Sequence, residues 1–184
     1  KTLGEEGHLV IRLWPKQPLP VTSASPSCPV NVVIGEHSLG TVATADLVDA
    51  LGTEMVDENR HWSLTIHGLM GHNVDQVLRL GENVGRVGGS VEFWAHDYFA
   101  ACANYTLSPN AISHCGAPQA DSMQCRVCTH GSIRKEHQAR MDAFLKLPGL
   151  TVVSPSAEAA RVWLSATRSH TAVEVRSLGN VVFK

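Results

Sequence analysis

No stretch of eighteen consecutive apolar residues occurs in this chain, so nothing in it reads as a membrane-spanning helix. Charge is sparse and nearly balanced: 15 Lys and Arg stand against 17 Asp and Glu, a formal net charge of −2 with a pI ≈ 6.6. That balance leaves no broad basic field to grip a phosphate backbone, and nucleic acid is not expected as a partner. The opening KTLGEEGHLVIRLWP has no continuous apolar run ending in small residues, so no secretory signal is visible in it and a cytoplasmic setting is expected. Cysteine is scarce and odd in number, at five, which argues against a secreted disulfide framework. Internal repeats are lacking as well.

What is present is an ordinary globular composition, 43% hydrophobic and 17% charged, over 184 residues, enough for one domain spanning residues 1–184. The apolar runs are short, rich in β-branched residues and bounded by turns. They predict strands at His8–Leu13, Val30–Gly35, Trp62–His67, Ser90–Ala95, Leu150–Ser154 and Val181–Phe183. Helical periodicity falls between several of them, at Thr44–Met55, Asn73–Val84, Ile133–Leu147 and Ala157–Ala166. Such alternation predicts an α/β fold of Rossmann-like βαβ units, with a mostly parallel sheet and helices on both faces. Pro15–Pro29 holds five prolines and three serines and reads as an extended connection.

In a sheet of this kind ligands gather at the carboxyl ends of the strands. The residues found there are Gly35, Glu36 and His37; His67, Gly68 and His72; His96, Asp97 and Tyr98; and Ser154, Pro155 and Ser156. Four polar loops on one rim would form a cleft. The SPSAE run has a purely structural reading too, a serine N-cap followed by an acidic residue in the first helical turn.

Four of the five cysteines, Cys102, Cys115, Cys125 and Cys128, fall within 27 residues. A CxxC knuckle lets two thiolates reach one zinc ion, and Cys102 with Cys115 would complete a tetrahedron. With all four positions filled by sulfur the zinc would be structural, pinning an insertion at about 99–131 that is long for a compact domain. Three sulfurs with His114 or His130, or two disulfides, also fit the spacing. A thioredoxin-like use of CRVC does not, because the pair opens no helix after a first strand.

Taken in order, SLTIHGLMGH, VEFWAHDYFAACANYTL, HCGAPQ, CRVC and LTVVSPSAEAARVW resemble the acceptor-side half of GT-B type retaining glycosyltransferases. These belong to the glycogen synthase-like class that assembles bacterial cell-surface polysaccharide. The resemblance covers roughly residues 30 to 175, and the block from HDYF to CRVC is its most specific part. Ala103 departs from the family, which places proline directly after the first cysteine. The family's second Rossmann-like domain, with its nucleotide-binding residues and acidic motif, is not among these 184 residues.

The resemblance implies sugar transfer, with retained anomeric configuration, from a nucleotide-diphosphate donor to a carbohydrate or lipid-linked acceptor. Peripheral contact with a membrane is compatible with the latter. The donor would be held mainly by the second domain, so this half should be inactive alone. His96 would take the catalytic position and hydrogen-bond a sugar hydroxyl. His67 and His72 would line the acceptor side, Asp97 would fix a histidine tautomer or cap a turn, and Ser154 would complete the substrate-binding set. Two other classes stay open: a zinc-stabilised binding module without catalysis, and a metallohydrolase ligated by His67, His72, His96 and Asp97. The second is disfavoured because HGLMGH lacks the glutamate of HExxH.

Overall fold

A computed structural model describes residues 7–17, 19, 21–56 and 60–176. The fold is α/β, as expected, but its strands divide between two sheets. The first is antiparallel and built from β1 (Ile11–Pro15), β2 (Pro29–Ile34) and β3 (His37–Ala43). The second is parallel, in the order β4 (Ser63–Ile66), β5 (Ser90–Trp94), β6 (Leu150–Ser154) and β7 (Val173–Val175).

The first two expected strands therefore do not belong to the parallel sheet. Val33-Ile34 runs into a two-residue link, Gly35-Glu36, and Ile34 pairs with His37 across it. Gly35 adopts φ 58°, the left-handed conformation a tight hairpin needs at its first central position. Gly35, Glu36 and His37 thus form a hairpin tip, and the expected rim loses one of its four loops. Strands β3 and β7 were not expected, and the strand expected at Val181–Phe183 lies outside the described residues. The proline-rich connection behaves as its composition dictates: between Lys16 and Cys28 the described residues form neither helix nor strand.

The described residues also form five α-helices: α1 (Thr44–Glu54), α2 (Val74–Arg86), α3 (Met123–Arg126), α4 (Gly131–Leu145) and α5 (Ala157–Thr167). Helix α2 begins where Asn73 accepts the Gln76 amide on its side-chain oxygen at 3.0 Å. The same asparagine donates to the Ser23 carbonyl at 3.0 Å, stitching the proline-rich connection to the start of α2. At α5 the N-cap is Ser156, which accepts from the Ala159 amide at 3.1 Å, so the structural reading of SPSAE holds.

The core takes Ile66, Val91, Phe93 and Val152 from one face of the parallel sheet and packs them against Leu80 and Val84 of α2, Met141 and Phe144 of α4, and Trp163 of α5. Phe93 and Phe144 meet edge to face at 5.4 Å and 88°. The alternate positions are more open: Ser63, Thr65 and Glu174 are exposed, and Glu92, Trp94 and Thr151 are half-buried, whereas Val153 is buried. Among the described residues no helix is long and apolar enough to cross a membrane.

Candidate functional site

Strands β4 and β5 are hydrogen-bonded neighbours, and their register pairs Ile66 with Phe93. His67 follows β4 directly, and His96 follows β5 after Ala95, so parallel pairing alone brings the two histidines to one rim. Their side chains complete the convergence, with His67 Nδ1 lying 3.0 Å from His96 Nε2. Trp94 backs both rings, its centroid 5.7 Å from that of His96 and 5.9 Å from that of His67.

A hydrogen bond between two imidazole nitrogens needs one donor and one acceptor, so only one proton can sit between the rings. Burial pushes His67 below the ordinary imidazole range, and the neighbouring charge of His96 adds to this. Asp97 stands beside the pair, with Oδ1 accepting the Phe99 amide at 2.9 Å and turning the chain out of the sheet. Desolvation raises its carboxyl above the usual range, opposed by the Phe99 amide and by His96.

His67 also borders a cavity of ≈ 360 Å³ between the edge of the parallel sheet and the antiparallel sheet. Apolar side chains from both sheets and from α1 and α2, among them Leu13, Val30, Val48 and Leu80, make most of its wall. Trp14, His72, Thr44, Thr65 and Gln76 bring the polar and amphipathic groups. The volume suits a small ligand, and the lining has the usual mixture of apolar wall and few polar groups. Gln76 Oε1 is buried without a hydrogen-bond partner, an acceptor awaiting a donor. His72 is half-buried, and desolvation lowers its pKa.

The expected site residues thus separate. His67 and His72 share the cavity, His96 joins it through His67, and Asp97 flanks His96. Ser154 does not reach the rim: it is fully buried and its hydroxyl donates to the Ser156 carbonyl at 3.1 Å. Trp14, Gln76 and Trp94 were not anticipated. The signal for Trp94 was available, since a large aromatic directly precedes the rim residues of a strand, and Gln76 lies in the first turn of a helix entering from that rim.

Histidine titration follows from burial. His67, His72 and His137 all have folded pKa values below the ordinary 6.5, with desolvation as the leading cause. The unfolded chain then binds more protons than the folded one below pH 6.5, so these residues withdraw stability as pH falls and none above that value. Imidazole proton resonances followed by NMR are expected to show all three titrating below free imidazole. Midpoints at or above it would refute the assignment.

The cysteine-rich insertion has little regular structure: a 3-10 turn at Pro109–Ala111 and the short α3. Four non-glycine residues between 107 and 117, Leu107, Asn110, Ala111 and Ala117, take positive φ, which persists only where surrounding contacts enforce it. Leu107 and Ala117 pack with Ala101, Cys102 and Ala166 of α5 in a small second cluster. His137 and Gln138 of α4 hold the start of the insertion through the carbonyls of Phe99 and Ala101.

Cys102, Cys115, Cys125 and Cys128 all line one cavity of ≈ 20 Å³, room for about a single water or ion. His130 and Arg134 line it too, whereas His114 packs against Tyr98. All five cysteines are free thiols, and Cys28 lies elsewhere, its Sγ 3.2 Å from Thr44 Oγ1. Burial pushes the Cys102 thiol up; the Asn104 amide and Arg134 act against that, and Cys128 and Cys115 add to it. Among the described residues no three His, Cys, Asp or Glu side chains are already arranged to hold a metal ion. The donor set nonetheless fits zinc in kind, four soft sulfurs around a void of ionic size with a buried cation beside them.

The chain matches no protein-family model, no curated protein and no solved structure.

Proposed function

We propose that this chain is the acceptor-binding half of a retaining GT-B type glycosyltransferase, acting in the cytoplasm on a carbohydrate or lipid-linked acceptor. One observation carries the reading: His67, paired with His96 at the carboxyl ends of neighbouring parallel strands, borders a cavity with the unpartnered Gln76 oxygen in its wall. A sugar presents hydroxyl donors to such acceptors and C–H faces to an indole such as Trp14. Resemblance of the strand-end motifs to that enzyme class points the same way.

In this reading His67, His72 and Gln76 orient the acceptor, and His96 hydrogen-bonds a hydroxyl at the reacting end. The shared proton between His67 and His96 fixes which ring donates and which accepts. Asp97, held by the Phe99 amide, stabilises the pair when it carries a proton. The leaving diphosphate and its stabilising charge belong to a second domain that binds the nucleotide-sugar donor. Cys102, Cys115, Cys125 and Cys128 would hold zinc, which supplies a covalent-like cross-link and no open coordination position.

Saturation-transfer NMR with a panel of oligosaccharides tests this. The chain is expected to bind a subset weakly, with Gln76→Ala and His67→Ala each weakening binding roughly 2- to 10-fold, the worth of one hydrogen bond. Turnover of a nucleotide sugar by the isolated chain would contradict the half-enzyme reading, and indifference to every glycan would remove it.

A second reading has its own support. Ile112, Met123 and Val127 of the insertion are 82%, 70% and 70% exposed. Asn110 holds Ile112's turn to the CxxC segment, through the Val127 carbonyl at 3.1 Å and the Thr129 amide at 3.4 Å. Exposed apolar side chains of this size favour a non-catalytic module whose insertion is a contact surface.

A further inference from the structure

Arg134 is the one Lys or Arg in the buried class among the described residues, at 2% exposure. Its Nη1 donates to Cys125 Sγ at 2.7 Å, while Nε and Nη2 are buried without a hydrogen-bond partner. None of the ion pairs formed among the described residues includes it. A guanidinium buried in this way is strongly unfavourable unless an anion faces it.

The fold places that anion at the cysteines. A Cβ on Gly131 would fall 1.7 Å from the Cys125 carbonyl oxygen, so α4 starts hard against the CxxC knuckle. One turn later, on the same helix, Arg134 lies under Cys125 and borders the cavity of Cys102, Cys115 and Cys128. Four thiolates around a divalent ion carry a net double negative charge, which is itself costly in a buried site. A neutral thiol at Cys125 would leave the guanidinium uncompensated, as would a disulfide.

We propose that Arg134 is the internal counter-charge of a four-thiolate metal site, neutralising part of that negative charge through Cys125 and offering Nε and Nη2 to the remaining sulfurs. The proposal rests on the zinc reading and deepens it. It assigns the site to the all-sulfur form in preference to three sulfurs with His130, because each thiolate exchanged for imidazole removes charge that Arg134 is buried to meet. Arg134 is a positioning residue here and ligates nothing.

The test uses the full chain with its thiols reduced, titrated anaerobically with Co²⁺ and read by the sulfur-to-cobalt charge-transfer bands. Zn²⁺ affinity then follows from competition with a chromophoric chelator. Arg134→Met and Arg134→Gln are expected to weaken binding 10- to 100-fold, the usual cost of losing an outer-shell partner. Arg134→Lys, which keeps the charge and loses the fork, is expected to fall between them and the unsubstituted chain. Should Arg134→Met fail to fold, the contrast between Arg134→Gln and Arg134→Lys carries the test. A merely structural arginine would not sort its variants by charge. If the unsubstituted chain gives no thiolate-to-cobalt bands, the zinc reading falls and this proposal with it. If it does and the neutral variants bind as tightly, the zinc reading survives and only the role of Arg134 is overturned.

Discussion

If Cys102, Cys115, Cys125 and Cys128 hold zinc as proposed, a strong chelator is expected to lower the melting temperature of the chain by roughly 8–16 °C. At a thousandfold excess of free zinc over Kd the bound metal contributes about 4 kcal/mol, and 1 kcal/mol shifts the midpoint by roughly 2–4 °C at this chain length. The loss should be local before it is global. Residues 99–130 hold little regular structure and several enforced left-handed residues, with only a small cluster of Ala101, Cys102, Leu107, Ala117 and Ala166 as their own core. Without a metal cross-link that cluster has little to resist the entropy of a long loop. Cys125→Ser should reproduce most of the effect, because a hydroxyl replaces one of the four thiolate ligands and the sulfur that accepts from Arg134. Calorimetry with and without chelator, with elemental analysis, measures both. A melting temperature indifferent to chelation, in a chain that holds less than one zinc per molecule, would end the structural-zinc reading. Limited proteolysis locates the loss: metal-free protein should be cut first within the insertion, while β4, β5 and β6 stay protected.

The parallel half of the fold was legible because its signals are strong and local. Trp62–His67, Ser90–Ala95 and Leu150–Ser154 are compact apolar runs separated by periodic helices, and the structure places β4, β5 and β6 there within a residue or two at each end. The antiparallel half was misassigned for a physical reason. Val30–Ile34 is as apolar as a buried parallel strand, and apolar content does not reveal a strand's neighbours. The informative residues were Gly35-Glu36, whose two-residue link between alternating runs marks a hairpin. Strand β7 is three residues, Val-Glu-Val, too short for any periodicity to register.

Convergence of His67 and His96 was also readable, since adjacent parallel strands carry their following residues to the same rim. Their direct contact and the backing by Trp94 were not, because both depend on side-chain rotamers. Ser154 illustrates the opposite failure. It sits at a strand end, but the pleat turns it into the core, where Ser156 takes the capping role and supplies the carbonyl its hydroxyl needs. Arg134 carries a legible signal in the sequence. In α4 the buried residues are Arg134, His137, Met141, Phe144 and Leu145, so the two polar members sit on the apolar stripe at helical spacing. A charged residue on such a stripe calls for a partner, and the one its side chain meets is Cys125 Sγ, at 2.7 Å.

Phe144→Ala is expected to cost about 3–5 kcal/mol, the range for deleting a buried aromatic, and so to lower the melting temperature by roughly 6–20 °C. Phe144 has no exposed surface, and its ring meets that of Phe93 edge to face at the parallel sheet. Removing it leaves a void between α4 and β5 that Met141, Leu147 and Val152 cannot fill without moving. Phe144→Leu retains most of the volume and should cost much less. The substitution also separates the core from the insertion, because α4 serves both: its later turns bury Phe144, and its first turns carry Arg134 and His137 to the segment 99–128. If the two regions are held independently, Phe144→Ala destabilises the chain while zinc stoichiometry in the folded state stays at one. Denaturant titration with parallel metal analysis reads both quantities. A cost below that of Phe144→Leu would show that the ring does not bear on the core as its burial and its contact with Phe93 require.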